Sequence, residues 1–143
     1  MSDKGSILVP VDGSANSDRA VKHAIDLVAG GFADMLHLVN VQPPVGGVVS
    51  TFVDRETISD YHREHGEAAL RSARHLCEAA GVRSQAHIFV GRPAEIVGEY
   101  ARKIAAKQVV LGTRGHSGVS GVLLGSVAQA VVEYVDVPIT LVK

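Results

Sequence analysis

Apolar positions along the chain follow two different spacings. Short, nearly continuous apolar runs predict buried strands at residues 6–11, 34–41, 84–90, 108–112 and 138–142. Between these runs, apolar residues recur at helical spacing, which predicts four helices. The first begins at an N-cap of Ser14 or Ser17 and ends before Gly30, and the others span residues 54–80, 93–106 and 126–134. The alternation predicts an α/β fold of the Rossmann-like type. We expect an open five-stranded parallel sheet with helices on both faces.

Two segments raise more specific expectations. The long helix is predicted to turn one stripe toward the sheet, made of Ile58, Tyr61, His65, Ala68, Ala69, Ala73, Leu76 and Ala80. Residues 42–53 contain Pro-Pro and Gly-Gly pairs, yet they are apolar for a loop. They either pack against the domain or form a mobile flap, and the sequence favours neither.

Composition narrows the class of protein. The chain has 143 residues, 46% of them apolar and 20% charged, which is typical of one globular domain spanning residues 1–143. A net charge of −1, an aromatic content of 4% and the lack of Trp argue against nucleic-acid binding. The lone Cys77 is interpreted as a small buried hydrophobe in a reducing compartment. Without a signal-like start or a long apolar run, we expect a cytoplasmic protein with no membrane insertion.

The end of the first predicted strand carries the first candidate chemistry. Pro10 cannot donate a ladder hydrogen bond and marks a place where pairing ends, and Asp12 adds a carboxylate just beyond it. Open parallel sheets bind ligands at this edge, where the strand order reverses. If the first and fourth strands are neighbours, Asp12 faces the same cleft as the segment after the fourth strand.

That segment contains five glycines, from Gly112 to Gly125, and leads directly into a predicted helix. Glycines before a helix N-terminus let backbone N–H groups converge on an anion. Ser126 offers either a cap for that helix or a hydroxyl for a phosphate oxygen, and Arg114 adds a positive charge. The spacing therefore predicts a ligand that carries phosphate.

The generic nucleotide motifs, G-x-G-x-x-G after the first strand and G-x-x-x-x-G-K-[ST], are absent from the sequence. Instead, the chain resembles the universal stress proteins over essentially its whole length. The stretches that carry this resemblance are VPVDGS at 9–14, GRPA at 91–94, VPITLV at 137–142 and Gly112-x2-Gly115-x9-Gly125-Ser126. The resemblance implies the strand order 3-2-1-4-5, in which the first and fourth strands are adjacent.

Universal stress proteins that keep this glycine signature bind ATP, so the resemblance implies an ATP-binding member with ATP or another adenine nucleotide as ligand, together with Mg²⁺. By position, the backbone of Val41 would meet the adenine edge, and Asp12 would lie near the ribose or a nucleotide-bound Mg²⁺ ion. The other implied contacts are Pro10 and Val11 on the adenosine, Gly112, Arg114, Gly115 and His116 on the phosphates, and Gly125, Ser126 and Val127 on the far side. One departure is Lys107-Gln108, where many members carry an acidic residue that a local salt bridge could use.

Three functions follow as hypotheses. The first is an adenine-nucleotide-binding sensor or regulator of the stress response. The second is a slow ATPase or phosphotransferase, for which His116 is the one candidate base in the signature, so we expect weak hydrolysis at most. The third is a nucleotide-free dimeric interaction module, against which the intact glycines argue. Family members commonly pair through the last strand, and an apolar edge at 138–142 predicts a homodimer.

The remaining polar candidates have plainer interpretations. His62 and His65 lie three positions apart on the long helix, a spacing that can share a metal, but no third ligand is placed by the sequence. Thr113 and Ser117 are candidates for phosphate contacts or for phosphorylation, and the default interpretation is that both are solvated loop residues. The residues interpreted as structural or as surface histidines are His23, His37, His75 and His87.

Overall fold

A computed structural model describes residues 4–46, 52–114 and 124–143. Its strands are β1 (Ser6–Pro10), β2 (Met35–Gln42), β3 (Ser84–Val90), β4 (Gln108–Gly112) and β5 (Ile139–Val142). Its helices are α1 (Ala15–Ala29), α2 (Arg55–Ala80), α3 (Pro93–Lys103) and α4 (Ser126–Tyr134). The strands form one parallel sheet in the order β3-β2-β1-β4-β5, so the predicted fold class is confirmed.

The central strand β1 contributes to both faces of the sheet. Ile7 and Val9 pack into the core beneath α1 and α2, whereas Leu8 packs into the core beneath α3 and α4. Because successive side chains of a strand point to opposite faces, a strand covered on both sides is expected to be apolar at most of its positions. This requirement explains the continuous apolar runs of the sequence.

The predicted inner stripe of α2 is confirmed at the buried Ala73 and at Leu76, which packs against the core, but is otherwise wrong by a rotation of about one residue position. The buried residues of α2 are His62, Gly66, Leu70, Ala73 and Cys77. Tyr61 and His65 are exposed, although both were expected to face inward. The helix turns Gly66 toward the sheet, where a Cβ would lie 2.7 Å from three carbon atoms of Ile88. A small residue at this contact lets α2 approach β3 closely, and an apolar count alone assigns no such weight to glycine.

Local signals set the helix ends. The Ser14 side chain accepts a hydrogen bond from the Ser17 N–H at 3.1 Å, so Ser14 rather than Ser17 caps α1. Gly81 ends α2 in the left-handed conformation, with φ of 69°. In the part of the chain that the structure describes, no helix is both long enough and apolar enough to cross a membrane.

Cys77 is fully buried on α2, within the core formed by α1, α2 and the sheet. Burial raises the pKa of its thiol, which favours the neutral form over the reactive thiolate. The interpretation of Cys77 as a small buried hydrophobe is therefore confirmed.

Candidate functional site

The ends of β1 and β4 diverge and open a cleft at the middle of the sheet. The register between the two strands covers only Ile7↔Gln108 and Leu8↔Val109, although β1 continues to Pro10. Pro10 has no N–H to donate to a ladder, so it does not extend the pairing toward β4. Strand order reverses at this point, because β1 leads to β2 on one side and β4 lies on the other. This is the position at which open parallel sheets bind ligands.

The cleft contains a cavity of about 340 Å³. Nine of the eleven residues predicted for the site line it: Pro10, Val11, Asp12, Val41, Gly112, Arg114, Gly125, Ser126 and Val127. The other two, Gly115 and His116, lie outside the described residues. Residues separated by more than a hundred positions in the sequence are thus brought together at one cavity, whose volume is in the range of small-molecule pockets.

Asp12 occupies a tight turn between β1 and α1. Its Oδ1 accepts a hydrogen bond from the Ser14 N–H at 2.9 Å, and its own N–H donates to the Ser17 hydroxyl at 3.2 Å. Between them, Gly13 has a φ of 83°, in the left-handed region that favours glycine. This turn holds the half-buried Asp12 carboxylate at the rim of the cavity.

The sequence did not single out Asn40, a buried polar residue on the opposite wall. Its Nδ2 donates to the Val11 carbonyl at 2.8 Å, and its Oδ1 accepts from Gln42 Nε2 at 2.6 Å. The amide thereby links the end of β2 to the segment that follows β1. The available signal was a polar residue inside the mostly apolar run 34–41, since a buried amide needs partners that the fold must supply.

The peptide of Val41 faces the gap that β1 leaves. Val11 donates its N–H to the Val39 carbonyl at 2.7 Å, so the backbone polar groups of Val39 point toward β1. Alternation along a parallel strand gives Val41 the same direction, whereas the Gln42 carbonyl bonds to Gly91 on the β3 side. The register of β1 with β2 ends at Pro10↔Val39. The Val41 N–H and C=O therefore present a donor and an acceptor side by side to the cavity.

The N-terminus of α4 forms the far wall. Gly125 occupies the N-cap position in extended conformation, so Ser126 is the first helical residue, and the alternative that Ser126 caps the helix is wrong. The Gly125 N–H donates to the Thr113 carbonyl at 2.7 Å, which fastens the start of α4 to the end of β4. The first N–H groups of a helix lack partners within it and carry the positive end of its dipole. Ser126 and Val127 present these groups at the cavity wall.

Thr113 and Arg114 connect β4 to the glycine segment. The interpretation of Thr113 as a solvated loop residue is wrong, because its side chain is buried and its N–H donates to the Val142 carbonyl at 2.9 Å. Its hydroxyl has no hydrogen-bond partner within the described residues. Arg114, in contrast, is exposed at the edge of the cavity. A guanidinium at this position can reach an anionic group bound against α4.

Side chains that can bind a metal are not clustered in the described ranges. No group of three or more His, Cys, Asp and Glu residues that could hold a metal ion occurs within them. His62 is buried on α2, whereas His65 is exposed, so the two rings do not share one environment. Asp12 is the carboxylate that lines the cavity.

Comparison with known proteins identifies the class to which this architecture belongs. The model of the Universal stress protein family matches residues 5–143. The chain belongs to the universal stress protein family. It is 35% identical over 139 residues to Universal stress protein MJ0531 of Methanocaldococcus jannaschii, covering 96% of this chain and 81% of the relative.

Solved structures share the same fold. Universal stress protein UspA from Lactobacillus plantarum superposes with a TM-score of 0.82 at 22% identity, and the match covers 100% of each chain. A universal stress protein solved in complex with cAMP superposes with a TM-score of 0.74 at 28% identity, covering 97% of each chain. That relative binds an adenine nucleotide.

Proposed function

We propose that the chain binds an adenine nucleotide, ATP foremost, in the cavity between β1 and β4, and that it acts in the cytoplasm as a sensor or regulator of the stress response. The observation that carries this proposal is the convergence of three kinds of group on one cavity. These are the backbone N–H and C=O of Val41, the Asp12 carboxylate and the N-terminus of α4. A relative of 28% identity that was solved with cAMP supports the same class of ligand.

The Val41 peptide favours adenine over guanine. Adenine accepts a hydrogen bond at N1 and donates one from N6, so a backbone N–H and C=O on the same side of one residue complement its edge. Guanine donates from N1 and accepts at O6, which places a donor against the N–H and an acceptor against the C=O. A site built to hydrogen-bond one partner rejects the other, because its polar groups are then left unpaired.

The opposite wall suits phosphate. The N–H groups of Ser126 and Val127 have no partner within α4 and lie at the positive end of its dipole, and the exposed Arg114 adds a full charge. Gly115 and His116 follow Arg114 in the sequence, and we assign them to the phosphates on the signature alone. With Asp12 on the rim as one carboxylate, a Mg²⁺ ion would be held jointly by Asp12 and phosphate oxygens, which is how nucleotide sites usually hold it.

We propose that output depends on nucleotide occupancy and on a homodimer formed through β5. A ligand changes output only when its affinity differs between two states, so the proposal requires a nucleotide-dependent change in the protein or its pairing. We expect hydrolysis to be weak at most, because phosphoryl transfer needs a positioned nucleophile and base in addition to charge neutralisation. Asp12 is already engaged through Oδ1 in its own turn.

The deciding experiment identifies what the protein carries. The purified protein is denatured with heat, the supernatant is analysed for nucleotides, and the emptied protein is titrated calorimetrically with ATP, AMP, cAMP and GTP. We expect an adenine nucleotide to be released or to bind, with GTP weaker by about tenfold or more. Failure of every adenine nucleotide to co-purify or bind would refute the proposal and favour the nucleotide-free module.

Asp12→Asn tests the proposed contact between the Asp12 carboxylate and a nucleotide-bound Mg²⁺ ion. The amide keeps an oxygen that can accept from the Ser14 N–H, so the turn and the fold should persist. The charge that would face Mg²⁺ is lost. We expect the gain in ATP affinity that Mg²⁺ brings to shrink in this variant, while the affinity for AMP without Mg²⁺ changes little. An equal response to Mg²⁺ in both proteins would exclude Asp12 as a metal contact.

A further inference from the structure

Asn16 is a buried polar side chain in the first turn of α1, next to the residues that leave β4 for the glycine segment. Its Oδ1 accepts a hydrogen bond from the Arg114 backbone N–H at 2.6 Å. Its Nδ2 donates to the Val142 carbonyl at 3.0 Å. The carboxamide therefore bonds through its oxygen to a residue of the cavity wall and through its nitrogen to the last strand.

The contacts around this amide form a junction of three segments. The Val142 carbonyl accepts a second hydrogen bond from the Thr113 N–H at 2.9 Å, beside the one from Asn16. The end of β5, the first residues after β4 and the start of α1 thus meet at a single carbonyl. The two Asn16 hydrogen bonds are partly buried, and removal of the carboxamide leaves the Arg114 N–H without its acceptor.

Gly112 makes this junction possible. A Cβ at this position would lie 2.6 Å from Asn16 Oδ1, which is closer than real Cβ atoms approach their neighbours. Any side chain at position 112 would push the amide away from Arg114. The first glycine of the signature is therefore explained by packing against Asn16 as well as by proximity to a ligand.

We propose that Asn16 is a positioning residue: its carboxamide orients the Arg114 backbone for a nucleotide phosphate and ties that backbone to the C-terminal end of β5. Asn16 is absent from the cavity wall and acts through Arg114. The inference rests on the proposed function, because it assigns Arg114 to the ligand. Coupling between two sites is reciprocal, so nucleotide binding strengthens the tie to β5, and loosening of β5 weakens nucleotide binding.

Three variants test the assignment. Asn16→Ala removes both hydrogen bonds, and Asn16→Asp keeps an acceptor for Arg114 while losing the donor to Val142. The control is Arg19→Ala, since Arg19 also joins α1 to the C-terminus of the chain, through Nε to the Lys143 carbonyl at 2.9 Å, but this hydrogen bond is exposed and includes neither Arg114 nor Val142. Thermal unfolding by circular dichroism establishes that each variant is folded.

Amide hydrogen exchange and ATP titration are the readouts. In the ligand-free protein, we expect the Arg114 amide to lose protection in Asn16→Ala and to keep it in Asn16→Asp and Arg19→Ala. We expect ATP affinity to fall by about tenfold in Asn16→Ala and to stay within about twofold of the original in Arg19→Ala. ATP should also slow exchange of the Thr113 amide, which shares the Val142 carbonyl, in the unsubstituted protein but not in Asn16→Ala.

The outcomes separate this inference from the proposed function. If the unsubstituted protein binds no adenine nucleotide, the proposed function fails, and Arg114 exchange in the ligand-free variants still decides whether Asn16 holds this backbone. If ATP binds and Asn16→Ala binds it equally well, the positioning role is refuted while the proposed function stands. Equal exchange of the Arg114 amide in the unsubstituted protein and in Asn16→Ala would show that Asn16 does not hold the Arg114 backbone.

Discussion

Gly98 of α3 lies directly against the backbone carbonyl of Tyr134 at the end of α4: a Cβ at Gly98 would stand 2.7 Å from that oxygen. Backbone cannot rotate away as a flexible side chain can. Gly98→Ala gains about 1 kcal/mol in helix propensity, but overpacking at a fixed contact costs about 1–3 kcal/mol. We expect a net loss of about 1 kcal/mol in the free energy of unfolding, because the two helices must separate.

Urea titration measures this difference, and Glu99→Ala is the matched control. Glu99 is the next residue of the same helix and is exposed, so its replacement should change stability by less than about 0.5 kcal/mol. A Gly98→Ala protein that is more stable than the original would show that α3 and α4 adjust at no cost.

His37 and His87 form a side-chain contact that should make the stability of the fold depend on pH. His37 Nδ1 and His87 Nε2 lie 3.1 Å apart, and the Tyr100 hydroxyl lies 3.1 Å from the same His87 nitrogen. Burial lowers the pKa of both imidazoles, and for His37 the charge of His87 lowers the pKa further. This contact agrees with the interpretation of His37 and His87 as structural, although the sequence did not show that neighbouring strands bring the two rings together.

The pH dependence follows from the lowered pKa values. The unfolded chain binds protons near the ordinary histidine pKa of about 6.5, whereas the folded chain binds them only at lower pH. The stabilising contribution is therefore complete above that pH and decreases as pH falls below it. We expect the melting temperature to drop between about pH 7 and pH 5 and the slope to flatten in His87→Gln. The exposed His23→Gln variant should keep the original slope, and a flattened slope there would contradict the assignment.

The fold could be predicted from sequence because local patterns indicate each strand and helix: apolar runs, helical spacing and turn residues. The outline of the cavity could also be predicted, since Asp12 follows one strand directly and the glycine segment follows another. The roles of Asn40 and Asn16 could not be predicted, because each makes a hydrogen bond to a backbone group far away in the sequence, 29 and 98 residues respectively, and no local pattern reports a contact made by tertiary packing. The inner face of α2 was mispredicted for the same reason.

The N-terminus of α4 allows a prediction in which stability and binding change in opposite directions. Ser126→Asp places a carboxylate at the first position of α4, where it interacts favourably with the helix dipole. We expect the ligand-free protein to gain about 0.5 kcal/mol in the free energy of unfolding. The same carboxylate repels a phosphate at the cavity wall, so ATP affinity should fall by about tenfold or more.

The control for charge alone is Val132→Asp. Val132 is an exposed residue near the opposite end of α4, outside the cavity lining. A carboxylate there faces the negative end of the dipole, so we expect a small loss of stability and no change in ATP affinity. Calorimetric titration and thermal unfolding supply the two measurements. Unchanged ATP affinity in Ser126→Asp would place the phosphates away from α4.

The two edges of the sheet differ in their predicted role, and each carries an exposed apolar side chain. Leu141 lies on β5 and Val90 lies on β3, and both are more than two-fifths exposed. An open strand edge with apolar side chains can pair with another chain, and a charged residue on such an edge opposes pairing. A homodimer through β5 therefore depends on Leu141 and is indifferent to Val90.

Leu141→Lys and Val90→Lys carry the same chemical change to opposite edges, so they separate specific pairing from a general effect of added charge. We expect light scattering at micromolar concentration to give a dimer for the unsubstituted protein and for Val90→Lys, and a monomer for Leu141→Lys. Both variants should remain folded by circular dichroism, because each side chain is already half in solvent. A monomeric unsubstituted protein would refute pairing altogether. A dimer lost only in Val90→Lys would move the interface to β3, away from the carbonyl that Asn16 and Thr113 share.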